Sequence, residues 1–452
     1  MPSPARRIAA DVLLRVEQQG AFANLALDAG LRSAGVLEPR EAALATALVY
    51  GTLRWEPQLD RAIEAHSDRP VRDLDVPVRT VLRLAAFELL HHPTVPARAA
   101  VNEAVELCKD LKSGRATGFV NAVLRQLSTT RLAPPPPPRD TDPVGHLAAV
   151  TAHPRWLVEK FIKAFGVEEA EKLCAANQIQ APGCVRVNRD RGTVAEAQAL
   201  FAGQGLATTP GLYSFDALVL AAGTPPALDL DGHAEGTFQA QDEAAQLVSL
   251  YAAPGRGARV LDACAAPGGK TCHLAELVGP KGSVVAVDLH ARKAQVIAEA
   301  ALRLGHQNIE ARAADASLPL PGEALASFDL VLVDAPCSGL GTLRRHPEVK
   351  LRRTPEDVDR LAALQGRLLG SLAGYVKPGG LLVYALCTYT PEEVDENLAR
   401  FLEGHPAFHE EPAPTGWALP AASAALDAKG RLVTGPHKTG TDLFFAARLR
   451  RA

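Results

Sequence analysis

The 452-residue sequence contains no run of about eighteen consecutive apolar residues, which excludes a membrane-spanning helix by the usual hydropathy rule. Its opening, "MPSPARRIAADVLLRV", lacks the apolar core of a secretory signal, so a cytoplasmic protein with no membrane partner is expected. Net charge is nearly absent too, at −3, so any nucleic-acid binding must come from local patches rather than bulk charge. Cysteines are few, odd in number and scattered: residues 108, 174, 184, 264, 272, 337 and 387. That pattern argues against a disulfide framework and for free thiols. No internal repeat is visible. What remains, 47% hydrophobic and 22% charged residues, is the composition of an ordinary globular protein long enough for two or three domains.

The first 133 residues read as helices. In "VNEAVELCKDLKSG", Val101, Ala104, Val105, Cys108 and Leu111 recur at helical steps up to the stop at Gly114. "PREAALATALVYGTLR" and "VPVRTVLRLAAFELL" share that rhythm. Pro134 to Pro138 can join neither a helix nor a paired strand, which predicts a stiff spacer over 134–144. Residues 145–235 mix helical "WLVEKFIKAFGVEEAEKLCAANQ" with short strand candidates "GCVRVNR" and "ALVLAAG", predicting a small α+β domain. From 236 to 452 the pattern alternates. "ARVLDACAA", "GSVVAVDLH", "FDLVLVDAP" and "GGLLVYALC" are strand-length apolar runs between helical stretches, as in a Rossmann-like α/β domain with a parallel sheet covered on both faces.

The stretch "DACAAPGGKT" ends in Gly269-Lys270-Thr271, as a phosphate-binding P-loop does. Its leading position is Cys264 where a P-loop has glycine, a residue that resists the left-handed turn. Pro267 also removes an amide donor from any phosphate nest. Asp288 ends the next strand, where nucleoside-binding α/β folds place the carboxylate that accepts both ribose hydroxyls. The loop Cys264, Ala265, Ala266, Pro267, Gly268, Gly269 and Lys270 therefore suits S-adenosylmethionine (SAM), a nucleoside without phosphates, better than a nucleoside triphosphate. A P-loop-like NTPase remains the competing reading.

Two thiols follow at strand ends. "LVLVDAPCSGLGTLRRHP" carries Asp334, Pro336 and Cys337, and "GGLLVYALCTYTPEEVDEN" carries Cys387, so both thiols should face the cofactor crevice. Cys264 and Cys272 read as packing residues. Their spacing, without a Cys-x-x-Cys pair, predicts no metal site.

"DACAAPGGKT", "DAPCSGLGTLRRHPEVK" and "YALCTYTPEE" resemble the signature segments of the RNA cytosine-C5 methyltransferases. "VYGTLR" and "FVNAVLRQL" resemble a NusB-type RNA-binding domain, a combination typical of the RsmB (Sun) group acting on small-subunit ribosomal RNA. The resemblance runs from about residue 5 to the end, through "TFQAQDEAAQL" and "GTDLFFAARLRR". It implies a SAM-dependent 16S rRNA (cytosine-C5)-methyltransferase. In that reaction Cys387 attacks C6 of the base, Cys337 promotes product release, Asp334 bonds the N3/N4 edge of the cytosine, and Lys270 orients Asp334 or lowers a thiol pKa. Residues 264–270 and Asp334 would surround SAM, with Asp288 on the ribose and Asp315, in "ARAADAS", on the adenine amine; Asp315 could instead cap a helix. The sequence departs from the group at Leu386 and Thr388, where Thr and Ser usually flank the cysteine, and at Leu351, where Trp is frequent.

The stretch 344–353, "RRHPEVKLRR", carries a net +4 and reads as a phosphate-backbone contact, whereas residues 1–139 sum to only +3. The implied partner is 16S rRNA or an early small-subunit assembly intermediate, bound by a monomer. A non-catalytic RNA-binding or ribosome-assembly factor is the alternative from another class.

Overall fold

The computed structural model describes residues 2–92 and 95–452. The chain folds as two compact units, Met1–Ile179 with Leu343–Arg352, and Gln180–Thr342 with Arg353–Ala452.

The first unit is helical: α1 (Pro4–Gln19), α2 (Ala23–Ser33), α3 (Pro39–Glu64), α4 (Val76–His91), α5 (Ala97–Asp110), α6 (Thr117–Thr130), α7 (Pro143–Val150), α8 (Arg155–Phe165) and α9 (Val167–Ala176). Pro4 starts α1 where no amide partner is needed, and Gly20 ends it at φ +66. Leu48, Leu59, Ile63, Leu82, Leu107 and Leu124 form its core. Each such burial is worth about 1.5–3 kcal/mol of transfer free energy. Gly51 on α3 lies against the ring of Phe87 on α4, and a Cβ there would overlap that ring. The proline tract lies along this unit: Arg61 donates to the Pro135 carbonyl at 3.0 Å and His146 Nδ1 lies 2.9 Å from that of Pro137. Helices α7–α9 lie in the same compact unit.

The second unit holds two sheets. The smaller is antiparallel, in the order β2-β3-β1-β4, from β1 (Cys184–Val187), β2 (Thr208–Pro210), β3 (Ala217–Leu220) and β4 (Phe238–Ala240), with α10 (Val194–Gly203) beside it. Helix α11 (Glu243–Ala252) leads into the larger sheet. There β5 (Arg259–Ala263), β6 (Ser283–Asp288), β7 (Ile309–Ala313), β8 (Phe328–Asp334) and β9 (Val376–Leu386) are parallel, in the order β9-β8-β5-β6-β7. Between them run α12 (Gly269–Val278), α13 (Ala291–Leu304) and, after the short α14 (Val349–Arg352), α15 (Pro355–Ala373). Thr354 caps α15 through a capping box with Asp357. After α16 (Asp395–Gly404), the strands β10 (Phe408–Glu411), β11 (Leu432–Val433) and β12 (Phe445–Arg451) extend the sheet, β12 running antiparallel to β9. The sheet is thus mixed rather than wholly parallel. Its apolar faces bury two clusters, one around Val331, Leu369 and Phe445 and the other around Leu247, Leu274 and Leu332. Strand order reverses between β5 and β8, and ligand crevices open at such switch points, beyond the strands' carboxyl ends. Among the described residues, no helix is long and apolar enough to cross a membrane.

Four of the five cations in the basic stretch 344–353 already hold backbone carbonyls, which leaves less of its charge for phosphate than the count suggests. Residues 343–352 belong to the helical unit. Lys350 Nζ donates to Arg54 O at 2.7 Å, Arg344 Nε to Ile179 O at 3.1 Å, and Arg352 to Val16 O at 2.8 Å and Gly20 O at 2.9 Å. Leu351 packs on the helical core, and buried Glu348 accepts the Ala23 amide at the start of α2. Arg353, already in the second unit, donates to Ser338 O. Net charge counts side chains; it does not show which already have a carbonyl to cap.

Burial, with the nearby Arg54, drives the Lys350 amine down to about 7. Between that value and the ordinary lysine range the unfolded chain binds the proton and the folded chain does not, so this residue makes stability rise with pH. Lys350→Met should therefore raise the melting temperature more at pH 7 than at pH 9.5. Thermal unfolding of both proteins across that range checks it, and equal gains at both pH values would contradict it.

Candidate active site

The parallel register sets Asp334 of β8 opposite Ala385 of β9, so the next residues of both strands emerge side by side at the sheet's carboxyl edge. The Ala335 amide donates to Ala385 O at 3.1 Å and the Gly341 amide to Cys387 O at 2.9 Å, fixing one loop on the other. A Cβ on Gly341 would run into the Leu443 carbonyl, so only glycine allows this approach. The two predicted thiols consequently meet, with Cys337 Sγ 3.3 Å from Cys387 Sγ. Its contact with Cys387, then burial and the charge of Glu393, push the Cys337 thiol well up.

Lys270, in the first turn of α12, reaches Asp334 Oδ2 at 2.7 Å, with its ammonium 5.0 Å over the Phe444 ring. Burial works against its charge, but Asp334 outweighs burial, with smaller contributions from Cys387 and Asp262, and holds the ammonium above the ordinary lysine range. Lys270 is therefore a fixed cation beside the thiol pair. Thr271 donates to Asp262 Oδ2 at 2.6 Å, while burial lifts the Asp262 carboxyl to about 7.

The loop after β5 settles the competition between phosphate and nucleoside. Cys264 does occupy the left-handed region, at φ +61, despite the resistance of a Cβ-bearing residue to that turn. The remaining geometry still opposes phosphate. The Ala265 amide already donates to Val287 O and the Gly268 amide to Ala265 O, both at 2.9 Å, and Pro267 has none. Burial, and then the nearby carboxylates of Asp334, Asp288 and Asp262, lift the Cys264 thiol to about 12. Negative charge around this loop repels a triphosphate and attracts the sulfonium of SAM.

Asp288, buried at the end of β6, accepts long bonds from the Ala266 and His290 amides, at 3.4 and 3.3 Å, and has the Lys293 ammonium 3.8 Å away. Its oxygens keep lone pairs for a ribose diol, so the residues fit a nucleoside methyl donor. Asp315 caps no helix; its Oδ1 accepts from the Ser317 amide and hydroxyl at 2.9 and 2.7 Å in a turn just after β7. Among the described residues, no group of three or more His, Cys, Asp and Glu could hold a metal.

The departures beside Cys387 have local consequences. Leu386 lies wholly in the core, where a threonine hydroxyl would find a hydrocarbon neighbourhood. Thr388 Oγ1 lies 2.8 Å from Ser338 Oγ, a contact serine could also make. Sequence reasoning missed Glu393, which lies buried behind both loops. Its signal was present in Thr390-x-x-Glu393, the spacing of a capping box, whose side chains do bond at 3.0 Å.

A strand-switch crevice with carboxylates around its nucleoside loop and paired thiols defines a Rossmann-like methyltransferase using SAM, here in a chain that also carries a separate helical unit. The sequence matches the family described as 16S rRNA methyltransferase RsmB/F over residues 249–450, the NusB family over 3–129 and the Methyltr_RsmF/B-like ferredoxin-like domain over 153–226. It is 38% identical to ribosomal RNA small subunit methyltransferase B of Pseudomonas putida, over 90% of each chain. To the protein of that name from Vibrio cholerae it is 36% identical, over 93% of this chain and 95% of that one. The crystal structure of PH0851 matches with a TM-score of 0.85 at 25% identity, over 100% of both chains. The chain belongs to the RsmB/F methyltransferase family.

Proposed function

We propose that the protein methylates C5 of one cytosine in small-subunit ribosomal RNA, with Cys387 as the nucleophile. The observation that carries this reading is the 3.3 Å thiol pair at the sheet's carboxyl edge. Cytosine C5 is a weak nucleophile. The Cys387 thiolate, bonded to C6, turns the ring into an enamine and places electron density on C5. SAM, when bound, supplies the methyl group. Asp334 bonds the N3/N4 edge and Lys270 fixes Asp334, so charge accumulating on the ring meets a prearranged polar contact. Loss of the C5 proton and departure of the Cys387 sulfur restore the aromatic ring, with Cys337 assisting that release. The base must leave its stack to reach the crevice, so the target is a loop or a remodelled stem.

The substrate follows from the family and from the names of its relatives, which act on small-subunit rRNA. The NusB-type helical domain supplies the RNA contact, in a cytoplasmic setting where 16S rRNA or an early assembly intermediate is accessible. Bisulfite sequencing of that RNA from a deletion strain tests the reading. One cytosine should lose its protection and regain it with the wild-type gene but not with Cys387→Ala. An unchanged protection pattern in the deletion strain would refute it.

Asp288→Ala should weaken SAM binding roughly 10- to 100-fold, because two hydroxyl bonds to a carboxylate are lost, each worth about 1.5–3 kcal/mol less any recovery from water. Isothermal titration checks this, with the melting temperature as the folding control.

A further inference from the structure

We propose that Glu393 is a positioning residue that locks the two cysteine loops together and places a negative charge beside Cys337. This rests on the thiol roles given above.

Glu393 is completely buried, and among the described residues no Lys, Arg or His pairs with it. A buried carboxylate without a cation is costly unless hydrogen bonds saturate it. Here four donors do so. Oε1 accepts from the Ser338 amide at 2.8 Å and Gln365 Nε2 at 3.0 Å. Oε2 accepts from the Ser338 hydroxyl at 2.6 Å and the Thr390 hydroxyl at 3.0 Å.

The identity of these donors gives the carboxylate its role. Ser338 follows Cys337 and Thr388 follows Cys387. The Ser338 proton goes to Glu393, so in their 2.8 Å contact the Thr388 hydroxyl must donate to Ser338. Thr388, Ser338 and Glu393 thus form a one-way chain joining the residue after each thiol. Gln365 Nε2 also holds Pro336 O at 2.9 Å, just before Cys337, and Arg353 Nε holds Ser338 O at 3.0 Å. The Tyr384 hydroxyl lies 2.7 Å from the Glu393 carbonyl, and Asn397 Nδ2 donates to Gln365 Oε1 at 3.0 Å.

A glutamine of the same shape could fill this space, with the Ser338 and Thr390 hydroxyls turning to accept. The carboxylate adds charge. Of the ionisable groups around Cys337, Cys387 and Glu393 favour its protonated form, the Tyr384 hydroxyl bonds the Glu393 carbonyl, Arg353 reaches the adjoining Ser338 carbonyl, and Lys270 pairs with Asp334. Glu393 can be neutralised without touching the thiols or Lys270.

The test uses the full-length protein without RNA or SAM. Initial rates of iodoacetamide alkylation at Cys337, resolved by peptide mass spectrometry, are measured against pH. Glu393→Gln should lower the Cys337 midpoint by about one pH unit, because a nearby negative charge has been removed. Glu393→Asp, which keeps the charge, should leave the midpoint in place while lowering turnover. An unmoved midpoint in folded Glu393→Gln overturns the proposal. Should that variant not fold, Ser338→Ala carries the test: diamide, itself reduced to the hydrazine, oxidises the two thiols to a disulfide. The rate should fall at least tenfold once the hydroxyl bridge is gone, and an unchanged rate overturns the proposal. A methyl group found elsewhere than on C5 would refute the proposed function while leaving these readouts standing.

Discussion

Cys387→Ala is expected to lose methyl transfer by on the order of 10⁴-fold or more while binding SAM as the wild type does. Losses of that size follow removal of a covalent nucleophile, since the surrounding contacts cannot substitute for the missing bond. The Cys387 side chain lies at a strand end and is partly exposed, Lys270 and Asp334 hold each other, and the Cys337 loop is held by the Ser338 amide on Glu393. Truncation therefore leaves the pocket standing. Labelled-methyl incorporation into small-subunit rRNA gives the rate, and titration of SAM gives the control. Normal methylation by this variant would remove Cys387 from the mechanism.

Cys337→Ala should fail differently. The bond from Cys387 to C6 can still form and C5 can still be methylated, but the step that releases the enzyme loses its assisting thiol, 3.3 Å from the sulfur that must leave. Loss of such proton-transfer help slows a step by roughly 10²–10⁴-fold, enough for the adduct to accumulate. A denaturing gel of enzyme mixed with SAM and RNA should show a slow-migrating protein–RNA band with Cys337→Ala, little with wild type and none with Cys387→Ala. Free turnover by Cys337→Ala would exclude its release role. The two variants together separate attack from release, which sequence spacing alone leaves open.

Most of the site was legible because its residues sit at points where local pattern and topology coincide. Apolar runs ending in Asp288, Asp334 and Leu386 mark strand carboxyl ends, and a parallel sheet brings such ends to one edge. The pairing of Cys337 with Cys387 follows from β8 and β9 being neighbours. What stayed hidden depends on partners distant in sequence. The antiparallel β12 and β10 carry no signal for direction, and charge in 344–353 reads alike whether it meets phosphate or backbone carbonyls. Glu393 was hidden for the same reason: its partners Ser338 and Gln365 lie 55 and 28 residues away. The left-handed turn at Cys264 shows the limit of a propensity argument, since tertiary context holds a residue that a P-loop would replace with glycine.

The most direct test of the central claim uses small-subunit rRNA labelled with tritium at cytosine C5. Addition of a protein sulfur to C6 and methyl transfer to C5 predict one tritium released to water for each methyl group incorporated, with both signals lost in Cys387→Ala. Methyl incorporation without tritium release would contradict the account.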